Sequence, residues 1–435
     1  WTKGKQQTTW NITINEGEIS NIPFEDAASG DMIIWKSALW GNWRDCKSIK
    51  YLQDIFPDTL GALIERRHWR CHKGLEIRKQ ESGSSIEPAP FLAGWRKVNV
   101  HRKTIFPNSS RTKFRFTIPD SALELIQEES LFVRKGRTRP FRLSTSPHVL
   151  IKAVSGQCTY SEIDFVIPDP QIGIATESYD KDLLCALSVF LNSSIVQYFW
   201  FFQSPARGIK RDRVYIDDIK KTPLPQFSSE QITVLIELHR NLSYLEEFTD
   251  KSDTSLQELL DDSIQEIFAI PYSISLIARE FLSTRVQLRK GKTVVPATEP
   301  PSDEQLTVYG ASLQNELDTF TEGSGLKHSL TFLPSTKMVV CVIEFVQSNN
   351  TLEIEIERSN QKINEFLHST VLELKQRFSQ WVYIQRSLRI FSSSAVFICK
   401  PARLIDWTQT QALNDADDLI AEILSANHEL HEVVH

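Results

Sequence analysis

Three groups of residues in this chain have types and spacings that could do chemistry. His68-Trp69-Arg70-Cys71-His72 gathers three potential metal ligands within five positions. A structural zinc site takes four ligands, typically from two such clusters, and no second cluster is evident. A Trp anchoring a basic turn is therefore the favoured reading there. Glu373-Leu374-Lys375 has the Glu-x-Lys spacing in which a carboxylate holds Mg²⁺ and a Lys supports the nucleophile in nucleases. It lacks a suitably placed upstream Pro-Asp, and acidic-x-basic triplets are common on helices. The ten His are scattered, with no nucleophile-His-acid arrangement, and no Gly-rich loop ending in Lys-Ser/Thr is present.

The third group is two cation-dense turns, each built around a glycine. Arg134-Lys135-Gly136-Arg137-Thr138-Arg139-Pro140 packs four cations around Gly136. Ser204-Pro205-Ala206-Arg207-Gly208-Ile209-Lys210-Arg211-Asp212-Arg213 sets four more on a turn stiffened by Pro and freed by Gly. Cations this close repel one another in a merely solvated turn, and phosphates would supply the missing counter-charge. Arg134, Lys135, Arg137, Arg139, Arg207, Lys210, Arg211 and Arg213 are thus the candidate contacts to a polyanion's phosphates, and no catalytic, cofactor or metal residue is assigned.

The charge of the whole chain conceals this asymmetry. The net charge is −6, yet residues 1–225 carry 32 Lys and Arg against 25 Asp and Glu, while the remainder carries 17 against 30. Arg96 to Arg142 alone holds twelve cations against four acids, the electrostatic footprint of a polyanion-binding face. With 41% hydrophobic and 24% charged residues over 435 positions, two or three domains are expected. The six Cys have no paired spacing, which suits a reducing cytoplasm. Neither a signal peptide nor a membrane span is apparent.

The elements that must position the second turn surround it in sequence. Ile172 to Ala175 predicts a strand, followed by one long apolar helix entered at Ser178 to Asp182 and running through Leu183, Phe190, Val196, Trp200 and Phe202. A helix apolar on nearly every side belongs in a core. After the turn, Val214 to Ile216 predicts a short strand, and Pro223-Leu224-Pro225 an exit. Earlier, Ser48 is a candidate cap for a helix stopped by Pro57, Asp58 to Arg67 reads as a second helix, and Phe114 to Ile118 alternates like a strand. Ser228 with Gln231 has the form of a capping box before helices beginning near Ile232, Asp253 and Ser273. His239 falls on the apolar stripe of the first and is expected as a core residue. Thr293 to Asp303 is the clearest linker. Beyond it come a helix through Leu306 and Phe320, strands at 338–345, 352–357, 383–391 and 395–400, and a closing helix through Leu413 and Leu424. Ser392-Ser393-Ser394 reads as a hairpin turn.

This order of parts, a Leu-Asn-Ser-bearing apolar helix (183–200), a Gly-containing basic loop, an Asp-Ile and a Pro-Leu-Pro, resembles the target-recognition region of adenine-specific (N6) DNA methyltransferases of the type I and type IIG-like group. Segments Ile22 to Ala27, Gly30 to Lys36 and Leu39 to Asp45 resemble the stretch after the catalytic domain of such enzymes. Tyr383 to Ile390, Lys400-Pro401, Asp406-Trp407-Thr408 and 412–417 resemble their C-terminal block. The resemblance implies a parent enzyme that uses S-adenosylmethionine and flips its target adenine out of the duplex, with this part gripping double-stranded DNA and reading the site. The motifs of catalysis depart from that pattern. No Phe-x-Gly-x-Gly turn and no Asn/Asp-Pro-Pro-aromatic loop is present; Pro300-Pro301 lies in a polar linker and Gly323-Ser324-Gly325 follows no strand. The chain opens at Trp1 without an initiator Met, so the catalytic part is expected on a preceding segment or a separate subunit.

The expected fold is α+β: a loop-rich mixed α/β DNA-recognition domain over 1–227, a helical segment over 228–292, a linker over 293–304 and a small C-terminal α/β domain over 305–435. The expected role is DNA recognition within a restriction-modification or phage-defence system, in the cytoplasm. The alternative is a non-catalytic specificity or adaptor subunit that docks on a separate methyltransferase or nuclease chain through the acidic helix bearing Asp415, Asp417, Asp418 and Glu422.

Overall fold

A computed structural model of the chain describes residues 22–75, 77–79, 95–97, 103–104, 115–118, 123–125, 131–134, 143–209, 212–248, 253–288, 295–348, 350, 352–358, 387–392 and 395–433. The chain is mixed α+β with several small sheets. It divides into two compact units, Gly30–Leu282 and Trp1–Ser29 with Ser283–His435. The helices after Pro225, expected as a separate segment, therefore belong to the same unit as the strands and turns before them.

In the Gly30–Leu282 unit the first helices are α1 (Met32–Trp40), α2 (Trp43–Ile55) and α3 (Leu60–Arg66). The cap of α2 is Asn42, not Ser48: its side chain accepts from the Asp45 backbone N–H while the Asp45 carboxylate accepts from that of Asn42. Ser48 instead donates to the Arg44 carbonyl within the helix. Strands β1 (Arg70–Lys73), β2 (His148–Ile151), β3 (Cys158–Ser161) and β4 (Ile172–Ala175) form an antiparallel sheet in the order β1-β4-β2-β3. Of Phe114 to Ile118, residues 115–118 are described and form no strand; Thr117 makes an isolated bridge to Tyr160.

The predicted long apolar helix is two helices, α4 (Lys181–Leu191) and α5 (Ser194–Gln203), bent by 72° at Asn192-Ser193. The bend follows from what those polar residues bind. The Asn192 carboxamide accepts from the Cys158 N–H at 2.9 Å and donates to the Cys158 carbonyl at 2.6 Å, tying the helix end to β3. Asp261, on a later helix, accepts from the Ser194 backbone N–H at 2.7 Å and from its hydroxyl at 2.6 Å, and so caps α5. Each polar group that stops α4 is thereby satisfied inside the core. Around α5, the rings of Tyr198, Phe201, Phe202 and Phe281 stack edge to face or tilted, with centroids 4.8 to 5.5 Å apart. Burying side chains of this size contributes roughly 2–3 kcal/mol each. Among the described residues no single helix is long and apolar enough to cross a membrane; the bent pair reaches that composition only together.

Val214 to Ile216, predicted as a strand, instead leads into α6 (Ile216–Lys220). Then come α7 (Ser229–Phe248), α8 (Asp253–Ile267) and α9 (Tyr272–Ser283). Ser228 and Gln231 form the expected reciprocal cap, and His239 is buried in the core.

The second unit is built on α10 (Asp303–Phe320), β5 (Leu326–Pro334), β6 (Met338–Gln347), β7 (Ile354–Ile356), β8 (Leu388–Phe391), β9 (Ala395–Pro401) and α11 (Gln409–Val433). The strands run in the order β7-β5-β6-β9-β8, antiparallel except for β7 on β5. Leu306, Tyr309, Leu313 and Leu317 recur at helical spacing on α10 and join Ala412, Ala416 and Leu419 of α11 in one core with Phe332, Cys341 and Ile398. The predicted Ser-rich hairpin is the β8–β9 pair. The acids of the helix expected as a docking surface are partly paired within this unit. Asp415 is buried against Lys400, and Arg389 pairs with both Asp418 at 2.7 Å and Glu422 at 2.6 Å.

Candidate nucleic-acid interface

The turn from Ser204 begins where α5 ends, and a buried lysine holds it there. Lys36, 1% exposed, sends its ammonium from α1 to the carbonyls of Phe201, of Ser204 at 2.8 Å and of Arg207 at 2.5 Å. The last carbonyls of a helix have no partner within it and carry its negative dipole end. A cation placed there satisfies them and draws the following turn back onto the helix. The same ammonium lies 4.4 Å from the centroid of the Phe201 ring.

Gly208 completes the turn. Its φ of +82° lies in the left-handed region that favours glycine, and an added Cβ would meet Phe201 at 2.8 Å and Trp40 Nε1 at 3.0 Å. Trp40 packs edge-on against Phe201 with centroids 5.8 Å apart. The turn is tied down again at its exit. The Val214 N–H donates to the Ala153 carbonyl at 2.8 Å, and the Tyr215 N–H to the Asp218 carboxylate at 3.0 Å. Trp200 Nε1 donates to Thr222 Oγ1 at 2.7 Å, and Pro223–Leu224 pairs with Asp58–Thr59. The Pro-Leu-Pro exit is thus a short strand closing on the entry to α3.

Of the candidate cations, Arg207 is only 7% exposed. Its carbonyl serves the Lys36 clamp, and its charge helps offset the burial that pushes the Asp218 carboxyl up, together with the Tyr215 N–H and Lys221. A guanidinium so buried presents little surface to a phosphate. Arg213 is half-buried, and Ile209 is 57% exposed. Arg134 ends the strand Leu131–Arg134, opposite Trp95. Lys135, Arg137, Arg139, Lys210 and Arg211 lie outside the described residues, as does Glu373-Leu374-Lys375.

Two further features of the basic region are structural. Arg115 is buried: its guanidinium donates to the Asn192 carbonyl at 2.8 Å and to Gln257, and the Glu246 carboxylate accepts the backbone N–H groups of Arg115 at 2.7 Å and Phe116 at 3.1 Å. One cation of the Arg96 to Arg142 run therefore points inward, into the α4–α5 bend. In the His68 to His72 cluster, Trp69 is the anchor, donating to Asp180 at 2.8 Å beside an Arg67–Asp180 bond of 3.0 Å. Cys71 is buried, which pushes its thiol up to about 12. Among the described residues no group of three His, Cys, Asp or Glu side chains could hold a metal ion.

The two stretches weighed as S-adenosylmethionine contacts both lie in connections beside α10. Gly323 and Gly325 take positive φ in the turn from α10 into β5, and Pro300-Pro301 precedes the Ser302 cap of α10. Neither sits after a strand, where a nucleotide-type cradle would be built.

Lys36 is the buried clamp that the reading of the sequence did not single out. The available signal was a single Lys within Met32-Ile33-Ile34-Trp35-Lys36, in helical register with Met32 and Ile33. No family model matches this chain, and no curated protein is similar to it in sequence.

Proposed function

We propose that this chain is the DNA-gripping, site-reading part of an adenine-N6 DNA methyltransferase in a restriction-modification or phage-defence system. The observation that carries the proposal is the turn after α5: a Gly208 bend clamped by a buried ammonium and followed in sequence by Lys210, Arg211 and Arg213. A turn fixed at its start by such a clamp loses less entropy on binding than a free loop would. Methyl transfer itself would fall to a catalytic domain or partner subunit holding S-adenosylmethionine. The family likeness in residues 183–225 and the positive balance of residues 1–225 support the same reading, and a cytoplasmic setting fits it.

Duplex binding by the full chain should weaken steeply as salt rises. Replacing Lys210, Arg211 and Arg213 together with Ala should reduce affinity on the order of tenfold or more at fixed salt and flatten the salt dependence by about the number of phosphate contacts removed. Unchanged affinity and slope in that variant, with an unchanged melting profile, would overturn the proposal.

A further inference from the structure

We draw no further inference here: the strongest candidate, the exposed Tyr244–Phe248 ring pair on α7 with centroids 5.1 Å apart, is an apolar surface patch, and nothing in the structure shows what covers it.

Discussion

Each unit buries a lysine, and the two are handled in opposite ways. Lys36 has carbonyl partners at the end of α5, so its charge is set against a helix dipole. Lys400, 2% exposed, pairs with the Asp415 carboxylate, which also accepts from the Tyr309 hydroxyl at 2.6 Å. The rings of Tyr309 and Trp407 each lie 5.3 Å from the Lys400 ammonium. A lysine bound to carbonyls fixes a backbone path, here a turn that reaches the surface. A lysine bound to a carboxylate between a strand and a helix fixes how two packed elements align. The first unit uses a buried charge to shape a turn, and the second uses one to hold its core.

Because the units have separate cores, substitutions at the two lysines should separate in calorimetry or denaturant titration. The largest effect belongs to Lys400→Ala, which strands the buried Asp415 and should cost about 3–5 kcal/mol in the second unit. Lys400→Met with Asp415→Leu should recover much of that loss. Lys36→Met comes next. Unpaired carbonyls at the end of α5 cost about 1–3 kcal/mol each, confined to the first unit, and limited proteolysis should cut faster near Gly208. If either variant shifts both unfolding transitions equally, the contrast between the units is broken.

Gly208→Ala should follow, at about 1–2 kcal/mol for the left-handed backbone, with an added crowding cost against Trp40 and Phe201. It should reduce duplex affinity with no charge removed, which would sharpen the role of turn geometry. The smallest effect is a pH dependence of the first unit. Burial lowers the pKa values of His148 and His239 below the ordinary 6.5, opposed by backbone bonds to the Leu143 and Phe116 carbonyls. The unfolded chain therefore takes up protons first, so the stability they confer is complete above pH 6.5 and declines as the pH falls toward the folded values. The buried carboxyls of Asp218, Glu246 and Asp261 act in the other direction, since burial raises them and their contribution is lost as pH rises through the raised values. Melting curves of His148→Gln and His239→Gln between pH 8 and 5 should isolate the histidine part as a flatter profile.

How much could be read in advance depended on how local the cause was. The Ser228–Gln231 cap, the α10 stripe and the β8–β9 hairpin each depend on residues a few positions apart, and each lies where the pattern put it. The α2 cap was misplaced at Ser48 because Asn42 and Asp45 offer a better reciprocal pair two turns earlier. The bend in the apolar helix was visible only as an interruption, Asn192-Ser193-Ser194; its partners, Cys158 and Asp261, are 34 and 67 positions away. Val214 to Ile216 looked like a strand from β-branched residues, yet the bonds at Ala153 and Asp218 turn it into the start of α6.

The amino-acid order alone determined where charge accumulates, which segments are apolar, and which turns need glycine or proline, because these follow from side-chain chemistry and short-range sterics. The tertiary structure decided that two of the described cations are buried. Arg115 and Arg207 share the sequence environment of their basic neighbours, but both are buried, Arg115 against the distant Asn192 and Gln257. Burial of a charge depends on partners that only folding brings within hydrogen-bond distance, so no local pattern distinguishes a cation that binds phosphate from one that braces the site.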